Sequence, residues 1–254
     1  MDQLTIIDRI FADKPPFHRI ETEVSTPRFA THRSALPASE LAGFENLKGR
    51  QHWGISPELG RALIGLIKPG MTTLETGSGA STLIFALGEA SHTSVTPDST
   101  EVSEIRKYAR QTNIDLSRVT FAVESSESYL PTASGELDIV LIDGKHTFPW
   151  PILDWHHTAE RLRVGGLMML DDTQLRPVAI LRDFLAADTV RWNFHGVIGG
   201  RTAVFRKVAG PIHDVAWHEH PWTALWKEPR KPLHKRIVGR LLRSFRPDEN
   251  RDFR

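Results

Sequence analysis

Three carboxylates and one histidine in the middle of the chain have the types and spacing to do chemistry. Asp143 ends the run LDIVLIDG, and Asp171-Asp172 end the run LMMLDD. If those runs are neighbouring strands, the adjacent pair offers two oxygens from one turn and Asp143 offers another from across the gap. Hard oxygen donors in this number suit Mg²⁺ first, or Mn²⁺ or Ca²⁺, with positions left open to water or substrate oxygens. Such an ion would bind two adjacent hydroxyls and lower the pKa of the one that attacks. His146 lies three residues beyond Asp143, in Asp-Gly-Lys-His. An imidazole titrates near working pH, so it could take a proton from a hydroxyl there. The plainer alternative is a set of helix caps and positioned charges without a metal.

A second constellation is Thr72–Leu83, TTLETGSGASTL. Thr73-Leu74 reads as the end of a buried strand, with Glu75 at its carboxyl end. Gly77, Ser78 and Gly79 form a turn, and Ser81-Thr82 open an apolar helical run. Glycines let backbone approach a ligand closely, and the free N–H groups of a helix start attract polar atoms. A dinucleotide fingerprint needs a third glycine, where this chain has Thr82. Glu75 would also repel a pyrophosphate. It suits the amino group of a bound amino acid, such as the methionine end of S-adenosylmethionine.

The elements that must position these groups alternate. Ser56-Pro57-Glu58 is a helix start running to Ile67. After the glycine turn, helices are expected over Ser81–Glu89, Glu101–Gln111, Ile152–Leu162 and Val178–Ala187. Strands are expected at His92–Thr96, Val119–Val123, Leu137–Ile142 and, after Gly165-Gly166, at LMML. Arg191–Ile198 and Thr202–Val208 flank Gly199-Gly200-Arg201 as a hairpin. This alternation argues for an α/β sandwich on a mostly parallel sheet. Ligands then bind where strands end. Those ends carry Glu75, Asp98, Glu124-Ser125, Asp143 and Asp171-Asp172, a gathering of like charge that stability alone does not explain.

The 254 residues, 40% hydrophobic and 25% charged, fit a globular chain with one main domain. No apolar run reaches membrane-spanning length and the N-terminus lacks a secretory pattern, so a cytoplasmic protein is expected. Without cysteine there are no disulfides, thiolate metal sites or cysteine nucleophiles. Three parts are expected: 1–55, a short helix and a proline-bearing lid or substrate segment; 56–209, the α/β domain; and 210–254, a Trp/Pro-rich, basic extension. From Lys227 on there are ten Lys/Arg against four Asp/Glu, leaving 22 basic and 27 acidic residues before it. The apolar stripe over Leu233–Phe245 reads as a helix packed on the body, or as a peripheral membrane contact. Trp53 and Trp150 could wall a pocket or belong to the core.

LETGSGAST, LDIVLIDG and LMMLDD together resemble class I S-adenosylmethionine-dependent methyltransferases, over about Ser56 to Val208. The resemblance implies a Rossmann-like α/β fold: a seven-stranded, mostly parallel sheet with helices on both faces and a final antiparallel strand. It implies that Glu75, Gly77, Ser78, Gly79 and Ser81 surround the methionine part of the cofactor. Asp98 would hold the ribose and Glu124-Ser125 the adenine side, with Asp143 beside them. The family's ribose acid usually stands where this chain has Thr96, so Asp98 either substitutes or only caps a helix. Asp-Gly-x-His followed by the acidic pair is similar to metal-dependent sugar O-methyltransferases of the macrolide-tailoring type. That likeness implies Asp143, Asp171 and Asp172 as ligands of a divalent ion, Mg²⁺ first, and His146 as base. Catechol-type enzymes share the metal logic but use a lysine near the fourth strand, which Lys145 keeps open. The expected function is a metal-assisted O-methyltransferase acting on a small molecule or saccharide. The alternatives are a metal-independent enzyme acting on nitrogen or nucleic acid, which the acidic body disfavours, and a non-catalytic binding module.

Overall fold

The run LDIVLI is apolar at every position but one because it lies in the middle of the sheet with both faces covered. The computed structural model describes residues 2–17, 54–216 and 220–224. Seven strands form one sheet: β1 (Thr72–Thr76), β2 (Ser91–Val95), β3 (Val119–Ala122), β4 (Leu137–Ile142), β5 (Leu162–Leu170), β6 (Trp192–Ile198) and β7 (Thr202–Lys207). Their order is β3-β2-β1-β4-β5-β7-β6. The first five pair in parallel, and β7 runs antiparallel to both β5 and β6. This is the Rossmann-like sheet that the sequence leads one to expect. The order reverses between β1 and β4, so loops diverge there and leave a crevice at the strands' carboxyl ends.

Successive β4 side chains feed opposite cores. Val140 and Ile142 join Trp155, Val178, Leu181 and Leu185 on one face. Ile139 and Leu141 join Leu59, Leu63, Ile84 and Phe85 on the other. The first set belongs to α6 (Trp150–Ala159) and α7 (Arg176–Ala187), the second to α2 (Pro57–Leu66) and α3 (Ala80–Leu87). α1 (Gln3–Asp13) adds Ile7 beside α2, and Ile10 to a third cluster with Ile105 of α4 (Ser99–Thr112). Ser56 caps α2 by accepting from Leu59 N–H at 3.1 Å, with Pro57 in the first turn.

Three boundaries differ from expectation for physical reasons. β1 continues through Glu75 and Thr76, because both pair with β2 and β4. Gly165-Gly166 lie inside β5, where Gly165 at φ +90° sits in a break of the β4–β5 register. A four-residue helix, α5 (Ser126–Tyr129), follows β3 and is too short to show a period. The segment from residue 18 to 53, with Trp53, and the helix expected over Leu233–Phe245 lie outside the described residues. By contacts the chain divides into Met1–Val215 and Ala216–Arg254. The latter shows α8 (Pro221–Ala224). Among the described residues no helix is long and apolar enough to cross a membrane.

Leu141 is fully buried between the layers, so Leu141→Ala should cost about 2–5 kcal/mol in urea unfolding. Val164→Ala, at a side chain 65% exposed, should stay within about 0.5 kcal/mol of the parent protein.

Candidate active site

The crevice at the carboxyl ends of β1 to β5 holds a cleft of about 580 Å³, a size suited to a small-molecule ligand. Its floor is the glycine turn after β1. Gly77 has φ +90°, and a Cβ there would lie 2.5 Å from the backbone oxygen of Asp143. Only glycine permits that approach of the β1 and β4 ends. The turn is tied down on both sides: Gly77 N–H donates to Val95 O at 2.9 Å, and Ser94 Oγ donates to Gly77 O at 3.0 Å.

A buried polar chain supports the turn from below. Gly79 N–H donates to Thr82 Oγ1 at 3.0 Å, and the Thr82 hydroxyl donates to Glu75 Oε1. His92 Nε2 lies 3.2 Å from the same oxygen, and its Nδ1 meets Thr73 Oγ1 at 2.8 Å. Thr82, where a dinucleotide site would have glycine, is therefore the link between turn and strand. Glu75 is fully buried in this chain and is not among the residues lining the cleft. Ser81 is buried too, whereas Gly77 and Ser78 line the cleft. His92 was not singled out in the sequence. It faces Thr73 in the β1–β2 register, and the pairing of the two strands is the signal that finds it.

On the next rim Asp98 caps α4, its Oδ1 accepting from Thr100 N–H at 2.7 Å and more distantly from Glu101 N–H. Asp98 thus caps the helix, and it also borders the cleft. Glu101, overlooked in the sequence, lines the cleft and accepts from both Ser78 Oγ (2.8 Å) and Thr96 Oγ1 (2.9 Å). An acid in the first helical turn after β2 was its only sequence signal. After β3, Glu124 is exposed and does not line the cleft, whereas Ser125, Ser126 and Glu127 do. Trp150 forms part of the wall. Its Nε1–H donates to Glu127 at 3.1 Å, and Lys145 Nζ sits 3.5 Å from its ring centroid.

The acids of the last two parallel strands do not converge as a trio. Asp143, Asp172 and His146 do: each can offer one ligand atom, all within 4.8 Å of one another. His146 Nε2 stands 3.6 Å from Asp143 Oδ1 and 3.6 Å from Asp172 Oδ2. Asp171 is fully buried, with both oxygens taken by Arg201 (Nε 3.2 Å, Nη2 2.6 Å) and one also by Thr202 Oγ1. The expected ligand set of Asp143, Asp171 and Asp172 is thus changed by Arg201, and an imidazole stands where the third carboxylate was expected. Arg201 gave no sequence signal beyond its place in a hairpin.

Burial, reinforced by the Asp171 charge, pushes the Asp143 carboxyl up to about 7 despite the opposing His146. Burial pulls His146 down, but Asp143 and the acidic pair outweigh it and leave the imidazole with a raised pKa. Its buried Nε2 has no hydrogen-bond partner among the described residues. Two carboxylates facing one point fit a divalent ion, and the imidazole nitrogen beside them is free to accept a proton.

Residues 74–173 match a family model described as a methyltransferase domain. Among solved structures, the O-methyltransferase TomG from Streptomyces achromogenes, involved in tomaymycin synthesis and solved with S-adenosylmethionine, is similar at TM-score 0.53 and 13% identity, over 83% of this chain and 100% of that one. A methyltransferase from Geobacter sulfurreducens is similar at TM-score 0.52 and 17% identity, over 70% and 96% of the respective chains. A Klebsiella pneumoniae protein named as a candidate O-methyltransferase gives TM-score 0.55 and 16% identity, over 82% and 91%. No curated protein matches the sequence. At these identities the likeness to solved structures is one of fold, the Rossmann-like methyltransferase fold. The family match spans residues 74–173, from the β1 strand to the turn after β5, and so covers both the glycine turn and the acidic rim.

The glycine turn gives the test. In Gly77→Ala the strained φ and the clash with the Asp143 carbonyl should weaken S-adenosylhomocysteine binding at least about tenfold, equal to about 1.4 kcal/mol, by calorimetry. Gly135→Ala, also at positive φ (+91°) but with open space around its Cβ, should cost stability and leave that affinity unchanged.

Proposed function

We propose that this protein transfers a methyl group from S-adenosylmethionine to a hydroxyl oxygen of a small molecule or saccharide, with a divalent ion on Asp143 and Asp172. The observation that carries this reading is the cluster of Asp143, Asp172 and His146 on the rim beside the glycine turn. The backbone of Gly77–Gly79 receives the methionine part of the cofactor. Glu101 takes the ribose role first expected of Asp98, and Ser125-Ser126 border the adenine side. Glu75 acts from beneath, through Thr82 and the turn.

When bound, S-adenosylmethionine supplies an electrophilic methyl, and the ion lowers the pKa of the acceptor hydroxyl. Asp143 and Asp172 hold the acceptor end of the cleft, and His146 takes the hydroxyl proton at Nε2 as the oxygen attacks. The two neighbouring carboxylates favour the imidazolium that results. Trp150 and the Glu127 side wall the cleft against water. Holding the hydroxyl in line with the methyl accounts for much of the acceleration.

A second reading dispenses with the ion, and Arg201 favours it. Its guanidinium already places a permanent positive charge against Asp171 and Asp172. His146 and Asp172 would then serve as base and orienting acid. Transfer of labelled methyl to a panel of vicinal diols and glycosides separates the two. Metal-assisted transfer should stop in EDTA and return with Mn²⁺, while unchanged rates in EDTA select the second reading. His146→Ala should lower kcat about 10²- to 10⁴-fold under either. Full activity in both His146→Ala and Asp143→Asn sinks both.

The raised pKa values set a direction for pH. Ligands must shed protons before they bind an ion. Asp143, pushed up to about 7, is more protonated on the acid side, and so is His146 beside it, whose positive charge then opposes the ion. Mn²⁺ affinity should therefore rise with pH through about 7 and level off above it, as followed by calorimetry.

A further inference from the structure

Arg201 lies outside the stretch that matches the methyltransferase family model, yet it reaches the centre of the acidic rim. We infer that Arg201 is a positioning residue: it turns Asp172 toward His146 and thereby sets the donor geometry of the cluster. The inference rests on the reading of Asp143 and Asp172, beside His146, as an ion site.

Its backbone is fixed first. Arg201 O accepts from both Thr173 N–H (2.9 Å) and Thr173 Oγ1 (2.7 Å), so the β6–β7 hairpin is bound to the turn that follows β5. One side of the hairpin tip is closely packed, since a Cβ on Gly199 would lie 2.2 Å from Ser56 Oγ. From this anchored position the guanidinium spreads over two adjacent acids. Nε and Nη2 engage Asp171, and Nη2 also reaches Asp172 Oδ1 at 2.8 Å. Asp171, fully buried and also bonded by Thr202, is the anchor of the fork and has no oxygen left for a ligand.

Asp172 is the residue being steered. Its φ of 58° lies in the left-handed region, which Asp tolerates better than most residues with a side chain. Oδ1 is held by Arg201 and by Gln174 Nε2 at 2.6 Å, which leaves Oδ2 facing His146. A lysine at 201 would keep the positive charge. As a single point it could not hold both acids in the fixed angle that a planar fork imposes.

Mn²⁺ binding to the full chain, followed by electron paramagnetic resonance without cofactor or acceptor, tests this. Arg201→Lys should raise the Mn²⁺ Kd at least about tenfold. Asp171→Asn/Arg201→Gln removes both charges of the buried pair together and should bind as weakly, because the single hydrogen bond from Gln174 then holds Asp172 without the fork. S-adenosylhomocysteine affinity and a cooperative melt report that each variant is folded. If Arg201→Lys has no cooperative melt, the double variant alone decides. An Arg201→Lys Kd within twofold of the parent overturns the inference, as does parental affinity in the double variant, which would reduce Arg201 to a counter-charge. A parent protein that binds no Mn²⁺ overturns the ion reading itself, and this inference with it.

Discussion

A methyl group on Gly77 would stand 2.5 Å from the carbonyl oxygen of Asp143, and much of the site follows from the absence of that methyl. The contact lets the ends of the two strands at the sheet's switch point touch. It puts the glycine turn against the residue that begins the acidic rim. Asp143 N–H also donates to Thr76 O at 3.1 Å, so the two halves of the cleft are parts of one hydrogen-bonded edge. A shift in either half moves the other. That rigidity is what a transfer reaction needs, because a misplacement of about 1 Å between reacting atoms can cost about 10²-fold in rate.

Beneath this edge lies a polar chain that an apolar core would not ordinarily tolerate. Glu75 and His92 are both buried, and burying charged groups is costly unless they are paired and bonded. Glu75 meets Thr82 and His92, and the His92 ring stacks on Phe85 with centroids 4.2 Å apart. The cost is offset by what the chain specifies. Through Thr82 it fixes the Gly79 N–H, and so one conformation of a turn that two glycines would otherwise leave loose. A buried polar network often contributes uniqueness more than stability.

How much of this was legible in the sequence depends on how far each interaction reaches along the chain. The sheet was legible because LDIVLI and the runs around it carry period and punctuation locally, and a parallel sheet then puts every strand end on one rim. Asp143 and His146, three residues apart across one turn, were legible for the same reason. Arg201 and Asp171 are 30 positions apart and meet only because β7 returns beside β5. No local pattern announces that. Glu75 and Glu101 show a subtler limit. Type and approximate place were readable, but whether a carboxylate faces the cleft or the core is set by strand length and helix phase. One more residue of pairing in β1 carries Glu75 inside.

The hairpin also imposes an order in time. The glycine turn, its polar support and the Trp150 side of the cleft all precede residue 151 in sequence, whereas the counter-charge for Asp171 comes from Arg201. A chain emerging from the ribosome can assemble the cradle while the acidic rim still lacks its guanidinium. Until β6 and β7 are in place, Asp171 lies at the open edge of β5, because burying that carboxylate without its cation is costly. The glycine cradle is thus written first along the chain, and the acidic rim receives its guanidinium last.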